Sequence, residues 1–526
     1  MTQVDRSYRD GAPALADHIA LTPVAVAMSL AMLTALMTVA MRGPLPVDET
    51  RYLTVAWEMW RSGDLLVPHL NGLPYSHKPP MMFWLVNGAW ALVGPQEWAA
   101  RAVPAAFLPL SVFLTYRLGC EFGGSRLGGR AALVLATMTV FTIFGSAMLF
   151  DAMLTVATVG GLIGLVRAAR GQALLGWLIF ASSLSFGLLS KGPVIAIHLL
   201  PAALLAPLWA PSPFRWFRWY GGLLMALACG AALPLLWATQ AAAAGGDEFG
   251  GALLWQQTAG RVVDSFAHKR PFWFYLPILP LLIFPWVLSV RLWTRWDASA
   301  LWRDVIWRLP VIMIVGSVAA LSLISGKQLH YLLPTLPAAA LLIARKIAAD
   351  EARPIEEGAF PLIVALFGLA MLLGAHVGHL LPGSMPFHYA PGLVLVAAGA
   401  VLYWIRKSPW HVIPSSAALI VFALLWQCHL GALAAYDWKP LAALIAPSKP
   451  VAFVGNYEGE IGFVARLTRP VEEVKPHEAA AWRAAHRDGY LIMRYKRHVP
   501  DLDGAPVLDQ PYRGKRIGLW GPLGPE

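Results

Sequence analysis

Long uncharged stretches alternate with short charged ones along almost the whole chain. After a polar start that holds Asp5, Arg6, Arg9, Asp10 and Asp17, residues 20–41 run without a charge to Met41. At 1.5 Å per residue this run crosses the roughly 30 Å of bilayer hydrocarbon, and it exceeds the short apolar centre of a secretory leader. It reads as a retained first helix. Further apolar runs fall near 98–116, 129–148, 150–166, 173–190, 193–210, 219–240, 271–290, 309–325, 328–344, 359–381, 390–405 and 411–431. The pattern predicts an all-α polytopic membrane protein with about 13 transmembrane helices.

The loops between the runs alternate in charge. Those on one side hold Arg117, Arg126 and Arg130; Arg167 and Arg170; Arg215 and Arg218; Arg291, Arg295, Arg303 and Arg308; Arg345, Lys346 and Arg353; Arg406 and Lys407. The short loops on the other side carry almost no cations. This is the positive-inside bias, and it places the N-terminus in the cytoplasm. Three longer segments, 42–97, 241–270 and 432–526, then face the periplasm. The chain divides into a membrane domain over 1–431, whose external loop 42–97 holds the candidate catalytic acid, and a tail over 432–526. The tail has thirteen Lys/Arg and eleven Asp/Glu. Within it, residues 451–455 and 490–495 read as strands and residues 458–467 and 477–486 as helical stretches, which gives a small α/β domain.

Composition agrees with a membrane protein. Apolar residues make up 57% of the 526 and charged residues 13%, with a mean hydropathy of +0.57. A soluble globular chain carries roughly 25% charge. The net charge of +11 is spread over the basic loops rather than pooled, so no nucleic-acid partner is expected. Cys120, Cys229 and Cys428 are far apart and give neither a disulfide framework nor metal spacing. No internal repeat of the kind found in transporters is visible.

The candidate chemistry gathers on the periplasmic side. The first external segment reads Pro46-Val-Asp-Glu-Thr-Arg-Tyr52, and its Tyr52, Ala56, Trp57 and Trp60 form a stripe that suits a helix lying in the interface plane. It is followed by Val67-Pro-His-Leu-Asn-Gly-Leu-Pro-Tyr-Ser-His-Lys-Pro-Pro80 and a second helical stretch over Met81–Val93. Asp48, Glu49, Arg51, Tyr75, His77 and Lys78 would thus sit at headgroup level. Asp151 opens a span, where an ionisable residue is a functional candidate, although an Asp there also serves as a helix N-cap. Lys191, Arg261, His268, Lys269, Arg270, Lys327, His330 and Tyr331 stand on the same side. Cations disfavoured by the positive-inside rule need a reason, and an anionic ligand supplies one; snorkelling toward lipid phosphate is the alternative. Carboxylates flanked by cations at a membrane surface suit a phosphate-linked sugar. Lys and Arg hold and stabilise the leaving phosphate, and Asp48 takes the acceptor's proton. No phosphate loop or dinucleotide fingerprint is present, so a lipid carrier rather than a soluble nucleotide is the expected donor.

Asp48-Glu-Thr-Arg-Tyr52, Val67–Tyr75, Lys78-Pro-Pro80, Asp151, Leu189-Ser-Lys-Gly192, Pro271–Tyr275 and Gly326-Lys327 with Tyr331 and Pro334 resemble the bacterial transferases related to protein O-mannosyltransferases. Among these the chain looks most like the lipid A aminoarabinose (4-amino-4-deoxy-L-arabinose) transferases, through nearly its whole length. The resemblance implies a GT-C fold and an undecaprenyl-phosphate-linked sugar donor. It implies Asp48 as the essential acid and base, Asp151 as a second functional carboxylate, and Lys78, Arg270 and Tyr331 as holders of the carrier phosphate. It also matches His268 to a histidine that can share a metal site with a glutamate. Here His77 precedes Lys78 where Glu-Lys-Pro is usual. His77 and His268 alone fall short of a zinc ligand set, so no cofactor is required by this reading, and a divalent metal held by these two is the alternative.

The expected activity is that of an inverting glycosyltransferase. It moves a sugar from undecaprenyl phosphate to an envelope acceptor such as lipid A. The alternatives are the same chemistry on a protein or another glycan, a polyprenyl-lipid flippase, and an assembly subunit. Catalytic candidates are Asp48, Asp151 and Glu49. Binding candidates are Lys78, Arg270, Tyr331, His268, Lys327, Lys191, Arg51, Tyr75 and His330.

Overall fold

A computed structural model describes residues 13–255, 269–294, 299, 303–353, 355–380, 387–496 and 498–523. The chain is a multi-pass helical membrane protein with a small α/β domain at its C-terminal end. Among the described residues nine helices are long and apolar enough to span a membrane, and four shorter apolar helices accompany them. The first is α1 (Pro13–Met41). A helix α2 (Asp48–Ser62), a short hairpin of β1 (His69–Leu70) and β2 (Leu73–Pro74), and α3 (Met81–Val93) form the first large loop. Then come α4 (Glu97–Ala136), α5 (Thr139–Gly145), α6 (Asp151–Ala169), α7 (Ala173–Lys191), α8 (Val194–Leu204) and α9 (Trp216–Gly245). Long helices over Arg308–Leu323, Leu336–Ala349, Ala359–Leu380, Tyr389–Leu402 and Pro409–Gln427 complete the bundle.

Two spans differ from the hydropathy reading. The run near 129–148 is not one helix: α4 folds back on itself at Gly123 and Gly124, the latter at φ 75°, and the chain then breaks before α5. The two arms touch so closely that a Cβ on Gly119 would lie 2.5 Å from the Cα of Gly128, so only glycine fits. The run 271–290 is a series of short 3-10 and α turns rather than a span. Pro277, Pro280 and Pro285 remove the amide donors a continuous helix needs.

The basic loops gather at one end of the bundle. Arg167 and Arg170 reach Glu121 at 3.2 and 2.8 Å, Arg130 reaches Glu351 at 2.5 Å, Arg406 reaches Glu356 at 2.9 Å, and Arg291 lies 3.4 Å from the buried Glu357. The first loop and the tail lie together at the other end.

The tail holds a five-stranded sheet of order β4-β3-β5-β7-β6. Strand β3 (Val451–Val454) is parallel to both β4 (Glu472–Val474) and β5 (Tyr490–Tyr495), while β7 (Lys515–Trp520) is antiparallel to β5 and β6 (Leu508–Tyr512). Every residue of β3 is buried, as a central strand covered on both faces requires. Two strands and the helix Ala479–Ala485 fall where the sequence places them. The expected helix over 458–467 does not form; those residues make turns that press against α2. Gly459, at φ 86°, turns the chain there, and Gly462 lets it press close, since a Cβ on Gly462 would meet Thr54 Cγ2 at 2.4 Å.

This docking also corrects the interfacial reading of α2. Tyr52, Leu53, Val55, Ala56 and Met59 are buried against α3, Phe150 and Phe463, so the stripe faces protein rather than lipid. Thr54 Oγ1 donates to Gly459 O at 2.8 Å, Trp57 Nε1 to Leu467 O at 3.1 Å and Arg61 Nη1 to Leu467 O at 2.9 Å. The tail therefore fixes the helix that begins with Asp48.

Candidate active site

Four elements meet at the tail end of the bundle, and each presents a charged or aromatic group there. Helix α2 begins at Asp48, α6 begins at Asp151, α7 ends at Lys191, and the 3-10 turn Leu329–Thr335 carries His330 and Tyr331. The loop after β2 brings Tyr75, His77 and Lys78. An acid in the first turn of α6 and a cation in the last turn of α7 each complement their helix dipole. Gly192, at φ 70°, then turns the chain into α8 without a steric cost.

Asp151 is 2% exposed and does not cap its helix; Lys191 Nζ lies 2.6 Å from its Oδ1. His330 Nε2 stands 3.8 Å from Oδ2, and Lys78 is within electrostatic range of the same carboxylate. Lys191 Nζ also lies 4.6 Å above the Tyr331 ring, and Lys78 Nζ lies 5.7 Å from the Phe150 ring centre. His330 packs against Phe144 and Tyr331. Asp48 is half exposed, with Arg51 Nη1 3.4 Å from its Oδ1. Burial pushes the Tyr52 phenol well above its ordinary value, and the charges of Asp48 and Asp151 add to this.

Two cavities approach this cluster. One, of about 520 Å³, has apolar walls from α7, α8 and α9 and carries Lys78, Lys191, His77 and Tyr331. The other, of about 410 Å³, lies between α1, α5 and the Pro409–Gln427 helix and carries Asp48 and Arg42. It shares Thr34, Val421 and Leu425 with a groove of about 390 Å³ lined almost wholly by apolar side chains of the same two long helices. Phe144 stands on the wall of the Asp48 cavity and stacks on His330, which ties that wall to Asp151.

Some candidates are drawn into the structure instead. Glu49 is 4% exposed, and its oxygens receive both Arg42 Nη1 and Nη2 at 2.7 Å and the amides of Leu45 and Met148. It cannot serve as a catalytic acid while all of these hold it. Burial alone would raise its carboxyl, but the Arg42 guanidinium and these hydrogen bonds outweigh that and hold it below the ordinary value of 4.5. The folded state thus binds the Glu49 proton less readily than the unfolded chain does. The stabilisation is full above about 4.5 and is lost as pH falls through the lower folded value. Glu49→Gln is therefore expected to flatten the acid limb of a plot of thermal midpoint against pH; an unchanged limb would remove this pair as a source of acid lability.

Lys327 is 3% exposed, and its Nζ donates to the carbonyls of Arg270, at 3.1 Å, and Ile324. It pins two loops together rather than facing a ligand. Arg270 is exposed, over the Phe274 ring at 5.8 Å, and does not line the larger cavity. Tyr75 is buried beside His77. His268 and Arg261 lie outside the described residues. Among the described residues no group of three or more His, Cys, Asp or Glu is placed to hold a metal. Sequence reasoning missed Arg42 and Glu458, whose partners lie 7 and 407 residues away, beyond any local pattern. It also missed the Asn71-Gly72 turn, where φ is 57° and 78° and whose two amides donate to Glu58; Asn-Gly between apolar residues is a strong hairpin signal.

Residues 77–237 match the dolichyl-phosphate-mannose-protein mannosyltransferase family. The undecaprenyl phosphate-alpha-4-amino-4-deoxy-L-arabinose arabinosyl transferase of Erwinia tasmaniensis is 29% identical over 90% of this chain and 94% of its own length. That of Pseudomonas savastanoi pv. phaseolicola is 25% identical over 95% and 91%. The crystal structure of ArnT from Cupriavidus metallidurans bound to undecaprenyl phosphate superposes with a TM-score of 0.73 at 20% identity, covering 97% of this chain and all of that one, and so shares the fold. The chain is accordingly similar, through nearly its whole length, to the undecaprenyl phosphate-alpha-4-amino-4-deoxy-L-arabinose arabinosyl transferases, and it shares the fold of ArnT.

Proposed function

We propose that the protein transfers a sugar from undecaprenyl phosphate to an acceptor lipid, lipid A in the first instance, at the outer surface of the bacterial inner membrane. The observation that carries this reading is two cavities at one end of the bundle, one carrying Lys78 and Lys191 and the other Asp48, joined through Phe144, His330 and Asp151. The cavity with apolar walls and two lysines suits a polyprenyl phosphate, whose chain lies against α8 and α9 while its phosphate meets Lys78 and Lys191. The Asp48 cavity opens along a lipid-facing groove that suits the acyl chains of the acceptor.

In the reaction Asp48 takes the proton of the acceptor's hydroxyl or phosphate as its oxygen attacks the anomeric carbon. The bond from that carbon to the phosphate oxygen breaks, and its electron pair leaves with undecaprenyl phosphate. Attack on the face opposite the departing phosphate inverts the anomeric centre. Lys78 and Lys191 meet the charge that builds on the departing phosphate, with Tyr331 beside them. Asp151, buried beneath the cavities, holds Lys191 in place, and His330 packs beside it. Arg270 has a role here if its side chain swings from Phe274 toward the phosphate. The basic-loop end of the bundle lies in the cytoplasm and the tail in the periplasm.

The test uses purified protein in detergent with undecaprenyl-phosphate-linked aminoarabinose and lipid A. Glycosylated lipid A should appear without any sealed vesicle. A protein that moves the donor across vesicles but makes no product in detergent is a flippase, and the reading falls.

A further inference from the structure

The tail reaches the candidate base through one arginine. Arg51 lies one turn beyond Asp48 on α2, and its guanidinium stands between two carboxylates. Nη1 is 3.4 Å from Asp48 Oδ1. Nη2 forms a close ion pair with the carboxylate of Glu458, and Nε donates to the Glu458 carbonyl at 3.3 Å. The turn that presents Glu458 is itself anchored. Its amide donates to Glu460 Oε2 at 2.7 Å, and Gly459 O and Phe463 N both bond Thr54 Oγ1, at 2.8 and 3.1 Å. The backbone at Gly459, with φ 86°, comes so near that a Cβ would lie 3.2 Å from the Cα of Arg51. The sequence therefore supplies a turn that can approach α2 only through glycine, with a glutamate next to it aimed at Arg51.

We propose that Glu458 is a positioning residue for Asp48, acting through Arg51. The proposal rests on the reading of Asp48 as the base. A guanidinium presents its donors as a planar fork and prefers to grip one carboxylate with two of them. With Glu458 in place, Nη2 and Nε are committed to the tail. Arg51 then offers Asp48 only Nη1, at a long distance and to one oxygen. Without Glu458, the fork can close on Asp48 with two bonds, occupy both carboxylate oxygens and block their approach to the acceptor's proton. The tail would thus be part of the catalytic arrangement rather than only a cover over it. The Asp48 and Glu458 side chains are about half exposed, at 48% and 47%, so these ion pairs add little to stability, and their loss should be read in turnover instead.

The test compares full-length wild type with Glu458→Gln in detergent, using undecaprenyl-phosphate-linked aminoarabinose and lipid A. Glu458→Gln should lower kcat about tenfold, with the donor KM and the thermal midpoint unchanged, and Glu458→Asp should recover most of the loss. In an Arg51→Met background, Glu458→Gln should cost nothing more. Wild-type kcat in Glu458→Gln overturns the proposal. So does a loss that comes with a lower thermal midpoint, or one that is equally large without Arg51. If wild type itself transfers nothing, the reading of Asp48 fails and takes this proposal with it; an active wild type beside an unaffected Glu458→Gln defeats the proposal alone.

Discussion

Asp48→Asn is expected to lower sugar transfer by about 10²- to 10⁴-fold while the protein folds and inserts as before. The loss is large because the amide cannot take the acceptor's proton in the proposed reaction, and the two buried acids nearby, Glu49 and Asp151, are already committed. Glu49, its neighbour in sequence, has its oxygens held by Arg42 and two backbone amides. Asp151 is committed to Lys191 at 2.6 Å. Folding is spared because Asp48 is 48% exposed and makes one long contact with Arg51. Mass spectrometry of the lipid product, beside size-exclusion chromatography of the purified variant, checks both halves. Transfer near the wild-type rate would take Asp48 out of the mechanism, and an aggregated variant would show that the carboxylate matters to the fold instead.

The membrane architecture is legible in the sequence wherever hydropathy alone decides structure. It fails where backbone chemistry decides. Residues 271–290 are as apolar as a span, but their prolines forbid one, and a hydropathy window does not count amide donors. Residues 458–467 have apolar positions at helical spacing, yet Gly459 and Gly462 let the chain turn and press onto Thr54, so tertiary contact wins over periodicity. The site shows the same division. Asp48 and Glu49 look alike in sequence, but successive residues on a helix point about 100° apart. Both border one cavity, yet Asp48 is half exposed while Glu49 is buried in the grip of Arg42, which only the fold reveals. Lys327 carried a charge on the side where cations need a reason, and its reason is two backbone carbonyls. Asp151 and Lys191 were each visible as candidates, whereas their direct pairing depends on how α6 packs on α7.

That pairing should make Lys191→Met costly in two separable ways. The side chains of Lys191 and Asp151 are 9% and 2% exposed, so removal of the cation strands a buried carboxylate. Breaking a buried ion pair from one side costs about 3–5 kcal/mol, because the remaining charge loses its counterion without regaining water. His330, 3.8 Å away, is a cation only when protonated, so it and Lys78 compensate only in part. The thermal midpoint in detergent, followed by tryptophan fluorescence, should fall clearly for Lys191→Met. In the double variant with Asp151→Asn the stranded charge is gone, and most of the stability should return. Transfer should not return if Lys191 meets the leaving phosphate as proposed, because that cation is still missing. If Lys191→Met is as stable as wild type, Asp151 is not held as a buried anion. If the double variant regains transfer, Lys191 serves only to neutralise Asp151, and the phosphate is held by Lys78 and its neighbours without it.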